Sequence, residues 1–197
     1  MKMQHRKIVT VYGASSPNIE KFYKDAAFET GRLLAAAGTA VACGGGRSGL
    51  MAAVIDGALS AGGHTIGVLP EFMEQRGWAH SGLSEKIITS DMHTRKERML
   101  AMATGVIALP GGVGTLEELL EAITWRQLNL YRGQVVILNT AGYYDPLAAM
   151  LERSIEQHFM HPDHKDIWQI AATPAEAVRM ALSEDSYGDF SQKIRVD

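Results

Sequence analysis

Only one cysteine, Cys43, occurs in the 197 residues. An internal disulfide is therefore excluded, and a reducing compartment is the natural home. Neither sign of charge dominates: 19 Lys and Arg stand against 22 Asp and Glu, a formal net charge of −3. That balance argues against bulk electrostatic binding of DNA, RNA or an anionic membrane, yet leaves room for a local basic pocket holding one phosphate. Long apolar runs are missing as well, each broken by glycine or charge well before the ~18 residues a membrane helix needs. The start, Met1 to Lys7, is basic, but the apolar run behind it ends at Gly13. It is too short and too β-branched for a signal-peptide core. These absences lead to the expectation of a cytoplasmic protein with no membrane or nucleic-acid partner.

What remains is an ordinary globular composition, 46% apolar and 21% charged, with 20 glycines. The length suits one well-cored domain and is short for two. Residues 1–183 are expected to form that domain and 184–197 a polar tail.

Short β-branched runs alternate with longer amphipathic stretches. Strands are expected at Ile8–Tyr12, Thr39–Cys43, His64–Leu69, Lys86–Thr89, Gly105–Leu109, Gln134–Leu138 and Ile167–Ala171. Helices are expected at Pro17–Ala37, about Ser48–Ala61, Asp91–Thr104, about Thr115–Tyr131, Asp145–Phe159 and Pro174–Leu182, with an irregular loop or short helix across Glu71–Ser84. Strict alternation implies right-handed crossovers and a parallel sheet covered on both faces. Strands so uniformly apolar fit burial on both sides. The expected fold is a single doubly wound, Rossmann-like α/β domain of about six to seven strands.

In such a sheet, ligands sit beyond the carboxyl ends of the strands. Three strand-to-helix turns occupy that edge: Gly13-Ala14-Ser15-Ser16, Gly44-Gly45-Gly46-Arg47-Ser48-Gly49 and Pro110-Gly111-Gly112-Val113-Gly114-Thr115. Glycine lets a backbone approach a ligand closely, and the free amides of a helix start favour an anion. A phosphorylated ligand follows. Neither glycine loop is a nucleotide fingerprint, however. G-x-x-x-x-G-K-[ST] is absent, and the G-G-G-x-x-G run follows the second strand with no acidic residue ending the next one.

Two charged groups could carry chemistry. Thr115-Leu116-Glu117-Glu118 fits a capping box, with Thr115 as N-cap and Glu118 reaching back. Glu118 would then share an outward face with Glu121, Ala122 and Trp125. The alternative is a carboxylate aimed at a ligand. Upstream, Arg95 and Lys96 fall in the first turns of a helix, where cations oppose the macrodipole. A bound anion or carboxylate nearby explains them; a solvated face with local pairs is the other reading.

These stretches resemble the LOG ("Lonely Guy") family. Pro110-Gly111-Gly112-Val113-Gly114-Thr115-Leu116-Glu117-Glu118 matches its P-G-G-x-G-T-x-x-E motif, and Met92-His93-Thr94-Arg95-Lys96 its M-H-x-R-K. Gly44-Gly45-Gly46, Gly49-Leu50-Met51, Thr124-Trp125-x-Gln127-Leu128 and Asn139 to Pro146 extend the likeness over about residues 8–160. The resemblance implies a cytokinin riboside 5′-monophosphate phosphoribohydrolase. Such an enzyme cleaves the N-glycosidic bond of AMP or an N6-modified relative to free base and ribose 5-phosphate. It implies Arg95 and Glu118 as the catalytic pair. Ser15, Gly45, Met92, Lys96, Gly111, Gly112, Gly114, Thr115, Glu117 and Thr124 would form the substrate site. It also implies a homodimer with its sites near the subunit interface, and its chemistry calls for no metal and no cofactor.

Glycoside cleavage builds positive charge at C1′ and the ring oxygen. A Glu118 near a helix N-terminus and near Arg95 would stay ionised, suiting charge stabilisation or water activation rather than acid catalysis. Arg95 would orient it or hold substrate oxygens, and the Pro110 loop would grip the 5′-phosphate. Two departures stand out. Gly77-Trp78 lies where many relatives carry Glu, and Tyr131-Arg132-Gly133-Gln134 replaces a His and Lys-Pro stretch. His158, His161 and His164 read as a surface cluster more readily than a metal site, and Cys43 as small core packing. A non-catalytic nucleotide or cofactor carrier is the rival function. Lysine decarboxylation would need pyridoxal phosphate on a lysine, and nothing in the sequence marks one.

Overall fold

A computed structural model describes residues 7–184 of the chain. The strands are β1 (Ile8–Tyr12), β2 (Ala40–Cys43), β3 (Thr65–Pro70), β4 (Glu85–Thr89), β5 (Gly105–Ala108), β6 (Gln134–Leu138) and β7 (Gln169–Ala171). They form one parallel sheet in the order β4-β3-β2-β1-β5-β6-β7. The order reverses between β1 and β5, and this switch point is where a doubly wound sheet opens a crevice for ligand.

The helices are α1 (Lys21–Ala36), α2 (Gly49–Ser60), α3 (Glu71–Gln75), α4 (Met92–Ala101), α5 (Val113–Gln127), α6 (Asp145–Glu156) and α7 (Pro174–Ala181). Alternate strand residues divide the core between two layers. Tyr12, Ala40, Ala42 and Val106 face Met99, Leu119 and Ile123 of α4 and α5. Val9, Val11, Val41 and Ile107 face Ala27, Leu34, Val54 and Ala177 of α1, α2 and α7. At the sheet edge, β4 exposes Glu85 and Lys86, charges that discourage pairing with another strand. Among the described residues no helix is long and apolar enough to cross a membrane.

Several element ends differ from expectation. α1 starts at Lys21 rather than Pro17, because Glu20 at its N-cap is still extended. α5 starts at Val113, two residues before Thr115, and ends at Gln127 rather than Tyr131, where a turn with Asn129 at φ 57° breaks it. α4 stops at Ala101 and α6 at Glu156. Ile167 closes a 3-10 turn at Pro162–Asp166 instead of opening β7. The expected polar tail, Glu184 apart, lies outside the described residues.

Candidate active site

At the switch point the three turns enclose a cavity of about 650 Å³. Its rear is the start of α5. Gly112 is the N-cap and carries no side chain, and Leu116 donates to the Gly112 carbonyl at 3.0 Å. Among the described residues nothing accepts from the amides of Val113, Gly114 or Thr115. Gly114 and Thr115 line the cavity, so free backbone donors at the positive end of a helix lie at its rim, an arrangement suited to an anion. The neighbouring start of α2 differs. There the amides of Leu50 and Met51 both donate to Ala14 O, at 2.8 and 3.4 Å, so the first turn of α2 is already capped by the β1 turn. Gly49, at φ +67°, permits that approach, since a Cβ would strike the Ala14 to Ser16 backbone.

The charged floor comes from α4 and α5. Asp91 caps α4, accepting from Thr94 N at 2.8 Å, and its hydrogen bonds from Ser90 and Thr94 pull its pKa down to about 2. This fixes the first turn and sends Arg95 inward, where it is 6% exposed. Its Nε donates to Val68 O at 3.0 Å and its Nη1 to Glu118 Oε1 at 2.7 Å. Gly44 leaves the space the guanidinium needs, because a Cβ there would collide with Nη2. Beside this pair Lys96 Nζ donates to Glu117 at 2.6 Å and Glu121 at 3.4 Å, and those carboxylates raise its pKa.

Two expectations about Glu118 are corrected. It is not half of a capping box: α5 begins too early, and the carboxylate points to Arg95 instead of its own backbone. Nor does it lie on an outward face with Ala122. The inward positions of α5 are Leu119, Ala122, Ile123 and Arg126, whereas Leu120 is turned to solvent. Glu118 is the sixth residue of the helix, beyond the first turn where the macrodipole acts. Burial is the largest influence on its carboxyl and raises its pKa, with Arg95 opposing. The result is a desolvated carboxylate of heightened basicity, held by one guanidinium. Cys43, behind the floor, is pushed up to about 11 by burial and stays a thiol of the core.

Of the residues singled out from sequence, Ser15, Met92, Arg95, Gly112, Gly114, Thr115 and Glu118 line the cavity. Gly45, Gly111, Lys96, Glu117 and Thr124 do not. Gly45 instead accepts from His80 N at 2.8 Å, and Gly111 from the Tyr143 hydroxyl at 2.7 Å. Thr124 is exposed and donates to Leu120 O at 2.8 Å. Sequence reasoning missed Arg47, Ser16, Met73 and Trp78 as cavity residues. Arg47 and Ser16 sat in turns already flagged, whereas Met73 and Trp78 come from a stretch with no periodicity to read. His161 and His164 serve a turn: the Nδ1 of His161 accepts from Asp163 N and that of His164 from His161 N.

Fold and site define a doubly wound α/β protein with a cavity at its switch point, rimmed by unpaired helix-start amides and floored by a buried carboxylate–guanidinium pair. The chain belongs to the family described as "possible lysine decarboxylase", which matches residues 51–181 and takes in the LOG phosphoribohydrolases. It is 41% identical over 170 residues to the "Probable cytokinin riboside 5′-monophosphate phosphoribohydrolase LOGL2" of Oryza sativa subsp. japonica, covering 86% of this chain and 70% of that one. To the cytokinin riboside 5′-monophosphate phosphoribohydrolase LOG1 of Arabidopsis thaliana it is 38% identical over 173 residues, covering 88% and 81%. Among solved structures it is similar to the molybdenum cofactor carrier protein of Chlamydomonas reinhardtii, with TM-score 0.69, 25% identity, and 88% and 94% of the two chains covered.

Proposed function

We propose that this protein is a nucleoside 5′-monophosphate phosphoribohydrolase. It hydrolyses the N-glycosidic bond of AMP or an N6-modified cytokinin riboside 5′-monophosphate. Water adds its oxygen to C1′, the C1′–N bond breaks with its electron pair leaving on the base nitrogen, and the proton that water gives up ends on that base, so that free base and ribose 5-phosphate result. The observation that carries this reading is the Arg95–Glu118 pair, desolvated yet open to a cavity whose rim carries the unpaired amides of α5. The 5′-phosphate sits on the amides of Val113 to Thr115, which turns its binding into placement of the sugar. Glu118 then faces the anomeric carbon. Its negative charge stabilises the oxocarbenium-like transition state, and its raised basicity suits it to take a proton from the attacking water. Arg95 holds that carboxylate in place through the 2.7 Å contact and keeps the Val68 carbonyl as its second anchor. Lys96 and Glu117 stiffen the junction of α4 and α5.

Decarboxylation of lysine fits these residues poorly. A lysine carrying pyridoxal phosphate needs a lowered pKa, whereas Lys96 is raised by two carboxylates and, among the described residues, no lysine lines the cavity. The likeness to a cofactor carrier favours a second reading, a protein that holds its ligand intact. The reading also includes a homodimer, supported by the exposed Val113 and Leu120 of α5 and Leu128 just beyond its end, and a cytoplasmic home, supported by the buried, free Cys43.

One assay separates the readings: release of base from a panel of mononucleotides. The hydrolase liberates adenine from AMP, and Glu118→Gln lowers kcat by about 100-fold or more while AMP still binds. Retention of AMP without free adenine by the unaltered protein would establish the carrier instead.

A further inference from the structure

Residues 76–84, between α3 and β4, lie across the Gly44 turn and are tied to it through the main chain. Arg47 N donates to Trp78 O at 3.0 Å, His80 N donates to Gly45 O at 2.8 Å, and Gly46 and Ala79 form an antiparallel bridge. Trp78 N donates in turn to Met73 O at 3.2 Å. His80 fastens the far side, with its Nε2 3.1 Å from Asp56 Oδ1 of α2 and its Nδ1 accepting from Gly82 N at 3.0 Å. The backbone on both sides of Trp78 is therefore held, and Trp78 lines the cavity.

The ring is held too. The Arg76 guanidinium carbon lies 5.2 Å from the Trp78 ring centroid and 5.7 Å from that of Phe72, within cation–π range of both. Trp78 lines the cavity and Arg76 does not. Trp78 is nevertheless 41% exposed, a large aromatic surface on the wall that the chain itself leaves uncovered. Met73, Leu69 and Met92 also line the cavity, as does the charged Arg47, whose amide is bonded to Trp78 O.

We infer that Trp78 determines which base the site accepts, offering its indole as the shelf on which an aromatic base stacks. This rests on the hydrolase reading for the direction of the ligand. With the phosphate at α5 and the anomeric carbon at Glu118, the wall left for the base is the one built by β3, α3 and Trp78. A flat π surface rewards the extended ring system of a purine over the smaller pyrimidine, and does so through stacking without hydrogen-bond readout. Trp78 therefore favours a purine over a pyrimidine monophosphate at this site.

The test uses Trp78→Leu and Trp78→Phe in the full chain. Trp78→Leu should raise KM for AMP by about tenfold and leave kcat within about twofold, whereas Trp78→Phe recovers most of the loss. A merely structural role would lower the thermal midpoint and affect AMP and a pyrimidine monophosphate alike; stacking penalises AMP more. A second readout uses the slow Glu118→Gln protein titrated with AMP. Indole fluorescence should be quenched, and adding Trp78→Phe should abolish the quench while binding persists by calorimetry. An unchanged KM in Trp78→Leu, or a quench that survives Trp78→Phe, overturns the inference. Failure of the unaltered protein to release any base would instead overturn the hydrolase reading, and the titration would still decide the role of Trp78.

Discussion

The phenol of Tyr143 donates to the carbonyl oxygen of Gly111 at 2.7 Å, and that of Tyr144 to Leu109 at the same distance. Two consecutive residues of the turn after β6 thereby hold both ends of the Leu109–Gly111 segment that feeds α5. The turn is itself braced: Asn139 Oδ1 accepts from Tyr144 N at 2.7 Å, and Tyr23 packs edge-on to Tyr143 at 6.0 Å. Burial raises the Tyr144 pKa, so its hydroxyl remains a donor. The amides at the start of α5 point where they do because this segment cannot roll.

Tyr143→Phe removes that hold on Gly111 and keeps the ring. The expected result is a KM for AMP several-fold higher with kcat little changed, and a loss of about 1 kcal/mol of stability in urea. Since the loop serves the phosphate, adenosine hydrolysis should be no worse in the variant than in the unaltered protein. An equal penalty on both substrates would mean that the tyrosine supports the fold alone.

The Arg95–Glu118 pair makes a prediction about pH. Burial raises the Glu118 pKa, so the folded chain binds that proton more tightly than the unfolded one. Turnover that needs the carboxylate should therefore fall, as pH drops, at values above those of a solvated glutamate. Replacing Arg95 by Met removes the opposing influence and leaves burial in place. The acidic limb of kcat/KM should move further up in pH, and stability at neutral pH should fall by about 3 kcal/mol, because a buried carboxylate loses its partner. An acidic limb unmoved by this change would assign it to another group.

Asp91 gives the opposite sign. Its carboxyl is depressed to about 2 in the fold by Ser90 and Thr94, so it contributes stability above the ordinary aspartate range and loses it as pH falls toward 2. Asp91→Ala should lower the urea midpoint at neutral pH and flatten the acid-side decline between about pH 4 and 2. Asp91→Asn keeps an N-cap oxygen and should lose less at neutral pH.

Six of the seven strands were readable to within one residue at either end, and β7 began two residues later than expected. Buried parallel strands are apolar throughout, and Ile8–Tyr12 and Gln134–Leu138 have the ends their composition marks. Helix starts were harder, because a chain can begin a helix on a residue with nothing to offer as a cap. Gly112 does so, and reading Thr115 as the cap misdirected Glu118. The pairing of Arg95 with Glu118 entered through a family likeness rather than spacing. Gly77-Trp78 stood out only as a departure from the family likeness; local pattern did not place Trp78 in the cavity, since its position depends on main-chain bonds to residues 45–47, far away in sequence.

Two glycines let α1 and α2 pack closely in the helix layer behind the site. Gly31 of α1 faces the carbonyl of Val54 in α2, and Gly57 of α2 faces that of Phe28 in α1. A Cβ at either position would overlap backbone that cannot swing aside as a side chain can. Ala normally favours a helix interior by about 1 kcal/mol over Gly, so propensity alone says that Gly57→Ala should stabilise. Overpacking of this kind costs typically 1–3 kcal/mol or more, and here it would force two helix backbones apart. The contact should win, giving net destabilisation by about 1–2 kcal/mol in urea unfolding. Because α2 also carries Asp56, the partner of His80, spreading the helices should loosen the Trp78 loop and raise KM for AMP. A more stable Gly57→Ala protein with unaltered KM would show that the helices are free to separate without cost.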